Sequence, residues 1–157
     1  MHKRSQPPST EALLLKFLSY RQRSRHEIEQ YLRNKGCKDE DISDLINKYQ
    51  DMGYINDSAF ADMWIRERMR FNPKGYAAIC AELYAKGVDR DIIDQAWREA
   101  QIDERGIARE LIEKRFDKHD KEAMPKAMAF LIRRGFNRSM AYAIVKNFFV
   151  EGTEGDK

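Results

Sequence analysis

The chain has little of what most metal, redox and nucleophilic sites are built from. Its 157 residues include two cysteines and three histidines. Cys37 and Cys80 stand alone, without Cys-x-x-Cys or zinc spacing, and read as small apolar side chains in a reducing compartment. His2, His26 and His119 are scattered, so no Ser–His–Asp or Cys–His arrangement and no mixed metal-ligand cluster takes shape. Gly75 and Gly106 are lone glycines, not phosphate-cradling loops. Catalysis therefore has no candidate residues, and neither a cofactor nor a metal is expected. Period-two alternation is missing, which excludes a sheet. The polar opening from His2 to Thr10 is followed by no apolar run of signal-peptide or membrane length, so no membrane partner is expected and a cytoplasmic, soluble protein is. An excess of one charge is also lacking. With 29 basic against 26 acidic residues the net charge is +3, too little to drive the chain onto naked DNA by charge alone.

What is present is a repeat. Three times a helix-like segment ends in a basic residue and glycine: Lys35-Gly36, Lys86-Gly87 and Arg134-Gly135. The glycines are 51 and 48 residues apart, so the chain reads as tandem units of about 50 residues. Four and eight positions before each glycine lie apolar residues: Leu32 and Ile28, Leu83 and Ile79, Leu131 and Ala127. That spacing stacks them on one helical face. Offsets of six, nine, ten and thirteen after it are apolar as well. They are Ile42, Leu45, Ile46 and Tyr49, then Ile93, Ala96, Trp97 and Ala100, then Ala141, Ile144, Val145 and Phe148. This is an amphipathic helix repeated in register.

Helix ends are equally patterned. Each glycine sits where a helix closes with a left-handed residue. Asp39, Asp89 and Asn137 are placed to cap the helix that follows, and Ser24 with Glu27 has capping-box spacing. Pro73 and Pro125 fall at or before the starts of middle helices. First helices are expected after Thr10, Asp57 and Asp103 as caps. The result is an all-α fold, an elongated array of three tandem three-helix bundles. Repeats are expected over residues 10–54, 55–101 and 102–150, with disordered tails at 1–9 and 151–157. Met52-Gly53-Tyr54-Ile55 is read as a turn wedging apolar side chains between helices, and Trp64, Trp97, Tyr54 and Phe60 as core. Short joints imply that neighbouring units touch.

Basic residues recur at the joints. Arg21, Arg23 and Arg25 lie in the first unit, Arg66, Arg68, Arg70 and Lys74 in the second, and Arg133, Arg134 and Arg138 in the third. Lys35, Lys86, Arg133 and Arg134 close helices, where a cation complements the helix dipole without any partner. Arg66, Arg68 and Arg70 crowd three guanidiniums into five residues, with Arg66 and Arg70 on one face, an arrangement suited to phosphates or an acidic protein surface.

Taken in order, these segments resemble the RecX family, regulators of the RecA recombinase. The likeness rests on Ser24-Arg25-His26-Glu27-Ile28 with Leu32-x-x-Lys35-Gly36, on Gly53-Tyr54-Ile55-Asn56-Asp57-Ser58-Ala59-Phe60-Ala61, on Ile79-x-x-Glu82-Leu83-x-x-Lys86-Gly87-Val88 and on Phe130-Leu131-x-x-Arg134-Gly135-Phe136. It spans Glu11 to Phe149. Where family members carry Gly-Pro and basic residues this chain has Gly75-Tyr76-Ala77-Ala78, with Arg66, Arg68, Arg70 and Lys74 nearby as substitutes. The resemblance implies three tandem three-helix repeats and a non-enzymatic modulator, mainly an inhibitor, of RecA. Such a modulator lies along the RecA–single-stranded DNA filament and limits its extension and activities. Arg25, Arg66, Arg68, Arg70, Lys74, Arg133, Arg134 and Arg138 are the expected contacts to RecA and DNA, and a monomer is expected. The alternative is direct DNA binding through helix-turn-helix-like units. It is disfavoured by Asp39, Glu40 and Asp41 opening one third helix and Asp89 and Asp91 another, leaving only Arg138 well placed. A plain scaffold, binding neither, is the third reading.

Overall fold

Apolar ladders at helical spacing build the helices, and the computed structural model describes residues 5–154. The order is α1 (Thr10–Tyr20), α2 (Arg25–Asn34), α3 (Asp39–Asp51), α4 (Asp57–Phe71), α5 (Tyr76–Ala85), α6 (Arg90–Ala100), α7 (Glu104–Arg115), α8 (Met124–Arg133) and α9 (Arg138–Glu154). A 3₁₀ turn, Lys121–Ala123, leads into α8. No strand occurs among the described residues.

Three separate cores result. Leu14, Ile28, Leu32 and Ile46 anchor the first, Phe60, Ile65, Ile79 and Leu83 the second, Ile112, Leu131, Val145 and Phe149 the third. The residues four and eight before each glycine are all fully buried. Each large aliphatic among them contributes about 1.5–3 kcal/mol. Close packing of helix on helix falls within units: α1, α2 and α3 together, then α4, α5 and α6, then α7, α8 and α9.

Between units the connection is polar and repeats. The N-terminus of α2 meets the C-terminus of α5, and the N-terminus of α5 meets the C-terminus of α8. At the first joint the Ser24 hydroxyl donates to the Lys86 carbonyl at 2.7 Å, while the Arg25 N–H donates to Asp57 Oδ1 at 2.8 Å. At the second, Gly75 and Ala77 N–H donate to the Arg134 and Gly135 carbonyls at 2.7 and 3.3 Å. The Tyr76 N–H donates to Glu104 Oε1 at 2.8 Å. In both joints the first residue of the next unit's first helix supplies a carboxylate to the first N–H of the preceding middle helix. Free donors at one helix end thus meet free acceptors at another, and the dipoles oppose favourably. Among the described residues no hydrogen bond joins the first unit to the third, so the units form an open row.

The joints explain the glycines better than helix closure alone. Gly36, Gly87 and Gly135 all have φ between 77° and 90°. A Cβ on Gly87 would fall inside the His26 side chain and one on Gly135 inside Ala78, whereas Gly36 has nothing within 4 Å. Two of the three are needed twice over, for backbone sign and for contact.

Several end-of-helix expectations are corrected. Ser9 and Asn56, not Thr10 and Asp57, cap α1 and α4; the Asp57 carboxylate is turned to Arg25 instead. Asp39 lies inside α3, and Asp89 stands at the start of α6 without a side-chain cap bond. Asn137 and Asp103 accept capping N–H bonds, and the Ser24–Glu27 capping box is present. Ile55 is buried, but Met52 and Tyr54 are more than half exposed, so only one residue of that turn wedges. Phe60 is buried while Trp64 and Trp97 are partly covered. The segment expected to be disordered after residue 150 continues α9 through Glu154, because Glu151 pairs with Arg109 at 2.6 Å and Gly152 is buried. Met1–Arg4 and residues 155–157 lie outside the described residues.

Candidate functional site

The eight expected contact residues divide by what holds them. In the second unit Glu82, on the outward side of α5, gathers three donors. Its oxygens accept from Arg68 Nε at 2.7 Å, Lys74 Nζ at 2.8 Å and Trp64 Nε1 at 2.9 Å. The Arg68 guanidinium also lies over the Trp64 ring, 4.8 Å from its centroid, a favourable cation–π position. Burial pushes the Glu82 carboxyl up, but the bonds from Lys74, Arg68 and Trp64 outweigh it and hold the group below the usual glutamate range. Arg68 and Lys74 are therefore clamped.

Arg25 and Arg134 are joint residues. Arg25 pairs with Glu29 at 3.1 Å and donates to Gln50 at 3.0 Å. Arg134 reaches across the second joint to Asn72 Oδ1 at 2.7 Å and the Pro73 carbonyl at 3.2 Å. Arg66 is exposed and bonded to Asp62 at 2.9 Å. Arg70 lies over its own neighbour, the exposed Phe71, 5.0 Å from the ring centroid. Arg133 and Arg138 are exposed and have no ion pair among the described residues. The structure brings Arg68 and Lys74 together on Glu82 and sets Arg134 against the Asn72–Pro73 turn beside them. Among the described residues no hydrogen bond joins Arg25, Arg66, Arg70, Arg133 or Arg138 to that cluster.

A first-unit cluster matches the Glu82 clamp in kind. Glu27 accepts from Arg21 at 2.7 Å and lies 3.9 Å from Arg23 and from Lys86 of the second unit. Arg23 stacks 3.9 Å above the Phe17 ring. The third unit has a cleft of about 350 Å³ bordered by Arg115, Phe116, Lys126, Ala129, Phe130 and Arg133. Arg115 and Lys126 were not singled out by the sequence reading. The signal available was positional: five and nine residues before the glycine, the first two units carry Tyr31 and Glu27, then Glu82 and Ala78. The third has Phe130 and Lys126 instead.

Among the described residues there is no group of three or more His, Cys, Asp and Glu side chains able to hold a metal ion, and no helix long and apolar enough to cross a membrane. Separate small cores, polar end-to-end joints and basic residues exposed along the row define a helical-repeat protein.

The chain belongs to the RecX family of regulatory proteins. Residues 12–48 match the family's first three-helix domain and residues 56–96 its second. Regulatory protein RecX of Mycolicibacterium vanbaalenii is 36% identical over 147 residues, covering 85% of this chain and 79% of that one. That of Amycolatopsis mediterranei is 34% identical over 134 residues, covering 82% and 77%. The crystal structure of RecX from Lactobacillus salivarius has a TM-score of 0.77 and 28% identity, spanning 87% of this chain and 92% of that one.

Proposed function

We propose that this protein restrains the RecA recombinase by binding along its filament on single-stranded DNA. Binding limits filament extension and with it the filament's activities. The observation that carries the reading is the open row of units with matching joints, in a chain of a regulatory family. A row that repeats about every 50 residues places its contacts at regular intervals along one line, which suits a polymer of identical subunits. Stabilising one arrangement of the filament needs only that these contacts be better made there than in the active one.

The contact surface proposed for RecA and DNA draws on Arg66 and Arg70 of α4 and on Arg133 and Arg138 around the third glycine. Arg25, Arg68, Lys74 and Arg134 shape it through the joints and the Glu82 clamp. The protein acts as a monomer and without catalysis of its own.

The test is RecA ATPase on single-stranded DNA with this protein added well below one molecule per RecA. Strong inhibition at that ratio is expected, because one bound row blocks growth past it. No inhibition at equimolar protein would sink the reading. Replacing Arg66, Arg70, Arg133 and Arg138 by alanine should weaken inhibition with helicity unchanged. Full inhibition by that variant would remove this surface.

A further inference from the structure

The net positive charge of the chain resides in one unit. Residues 10–54 hold 8 basic and 8 acidic side chains, residues 55–101 hold 7 and 8, and residues 102–150 hold 11 and 7. Within the third unit the surplus converges on the cleft beneath the ends of α7 and α8. No carboxylate borders it, and Arg115, Lys126 and Arg133 have no acidic partner among the described residues. The Phe130 ring is buried against this wall, with the Arg115 guanidinium 4.7 Å and that of Arg134 5.1 Å from its centroid.

Folding explains part of this and fails for the rest. Arg115 and Arg133 close their helices, where a cation suits the dipole. Lys126 does not: it is the third residue of α8, behind the 3₁₀ turn that leads into it, away from the helix C-terminus where a cation would be favoured. The residue at the same offset in the first unit is Glu27, which completes a capping box. A lysine that neither a helix end nor a carboxylate accounts for, opening on a cleft with two more cations that lack an acidic partner among the described residues, points to an anion.

We infer that this cleft is a phosphodiester-binding site for single-stranded nucleic acid, with Arg115, Lys126 and Arg133 as its phosphate contacts. The cleft has the volume of a small-ligand site. It takes a flexible strand a nucleotide or so at a time, where the forked guanidiniums of Arg115 and Arg133 match phosphate oxygens and Lys126 adds a point charge. This inference rests on the proposed function only in taking DNA as part of the target. It is tested without RecA.

Fluorescence anisotropy of a labelled oligothymidylate supplies the measurement, with the whole chain and no RecA. The variant Arg115→Gln/Lys126→Gln/Arg133→Gln is expected to bind at least tenfold more weakly. Its salt slope should fall by about 2, since each phosphate neutralised on a single strand contributes roughly 0.7. The variant Lys16→Gln/Lys35→Gln/Lys38→Gln makes the same change in net charge on the first unit and is expected to stay within twofold of wild type. Lys126→Glu is expected to lose binding while its Tm stays level or rises, opposite movements that misfolding cannot produce. Equal loss in the first-unit variant would reduce the effect to bulk charge and overturn the site. So would unchanged binding by the third-unit variant, or binding of labelled polyglutamate as tight as that of the oligonucleotide. Intact oligonucleotide binding with no effect on RecA ATPase would fault the proposed function and leave the cleft standing.

Discussion

The second and third units share a fold and a joint but treat their cations in opposite ways. At five residues before the glycine the second unit has Glu82 and the third has Phe130. Glu82 draws Arg68, Lys74 and Trp64 into one hydrogen-bonded cluster. Phe130 offers its face to Arg115 and Arg134 and leaves Lys126 and Arg133 without a counter-ion. Exchanges at a few positions of the repeat, Glu82 for Phe130, Ala78 for Lys126 and Ala85 for Arg133, thus separate a self-satisfied surface from an open one. Counting basic residues along the chain misses this, because a guanidinium bonded to a carboxylate has little charge left to offer a partner.

The sharpest way to break the comparison is through the joints that both units depend on. Gly87→Ala and Gly135→Ala each combine a left-handed backbone penalty of roughly 1–2 kcal/mol with overpacking of roughly 1–3 kcal/mol. Gly36→Ala carries only the first. Chemical denaturation of the three variants should therefore rank Gly36→Ala as clearly the mildest. Equal destabilisation of all three would mean that the joints contribute no steric constraint.

A smaller effect is expected from Glu82→Gln, about 1–3 kcal/mol at neutral pH for bonds to a charged acceptor. The folded carboxyl is held below its ordinary value of 4.5, so its contribution is full above 4.5 and disappears as pH falls through the lower folded value. The Tm gap between wild type and Glu82→Gln should accordingly close in acid. A gap that persists there would assign the effect to packing.

Smaller again, Asp57→Ala removes the acceptor for the first N–H of α2 and should cost about 1 kcal/mol. Burial raises the Asp57 carboxyl above its ordinary 3.8 against the opposing Arg25 N–H bond. Its ionised form is therefore a burden to the fold, and stability falls as pH rises from 3.8 through the folded value. Asp57→Asn keeps an acceptor without the charge and is expected to match or exceed wild-type Tm at neutral pH. Arg109→Ala, which frees Glu113 and Glu151 on an exposed face, should stay within about 0.5 kcal/mol.

The helices and their buried ladders were readable because both signals are local. Ile28 and Leu32 share a face by spacing alone, and a glycine after a lysine marks helix closure. Caps were read less well. Asp57 sits where a cap is expected, yet the neighbouring unit has a free N–H that Asn56 does not reach, and the carboxylate turns to it. The basic site was legible only as a census. Arg68 and Lys74 are 14 and 8 residues from the carboxylate that binds them, and no spacing rule within α4 or α5 reports that meeting. Arg115 and Lys126 escaped notice for the converse reason, each looking like an ordinary charge on its own helix.

By itself the sequence determined three periods of about 50 residues, the helices within them and the apolar face of each. Helical periodicity and left-handed glycines act over a few residues, so they need no knowledge of the rest. Only the tertiary structure decided which glycines are crowded, which acids serve a neighbouring unit and which cations are left over. Those outcomes depend on distances between helices remote in the chain, where one misplaced carboxylate reverses the answer.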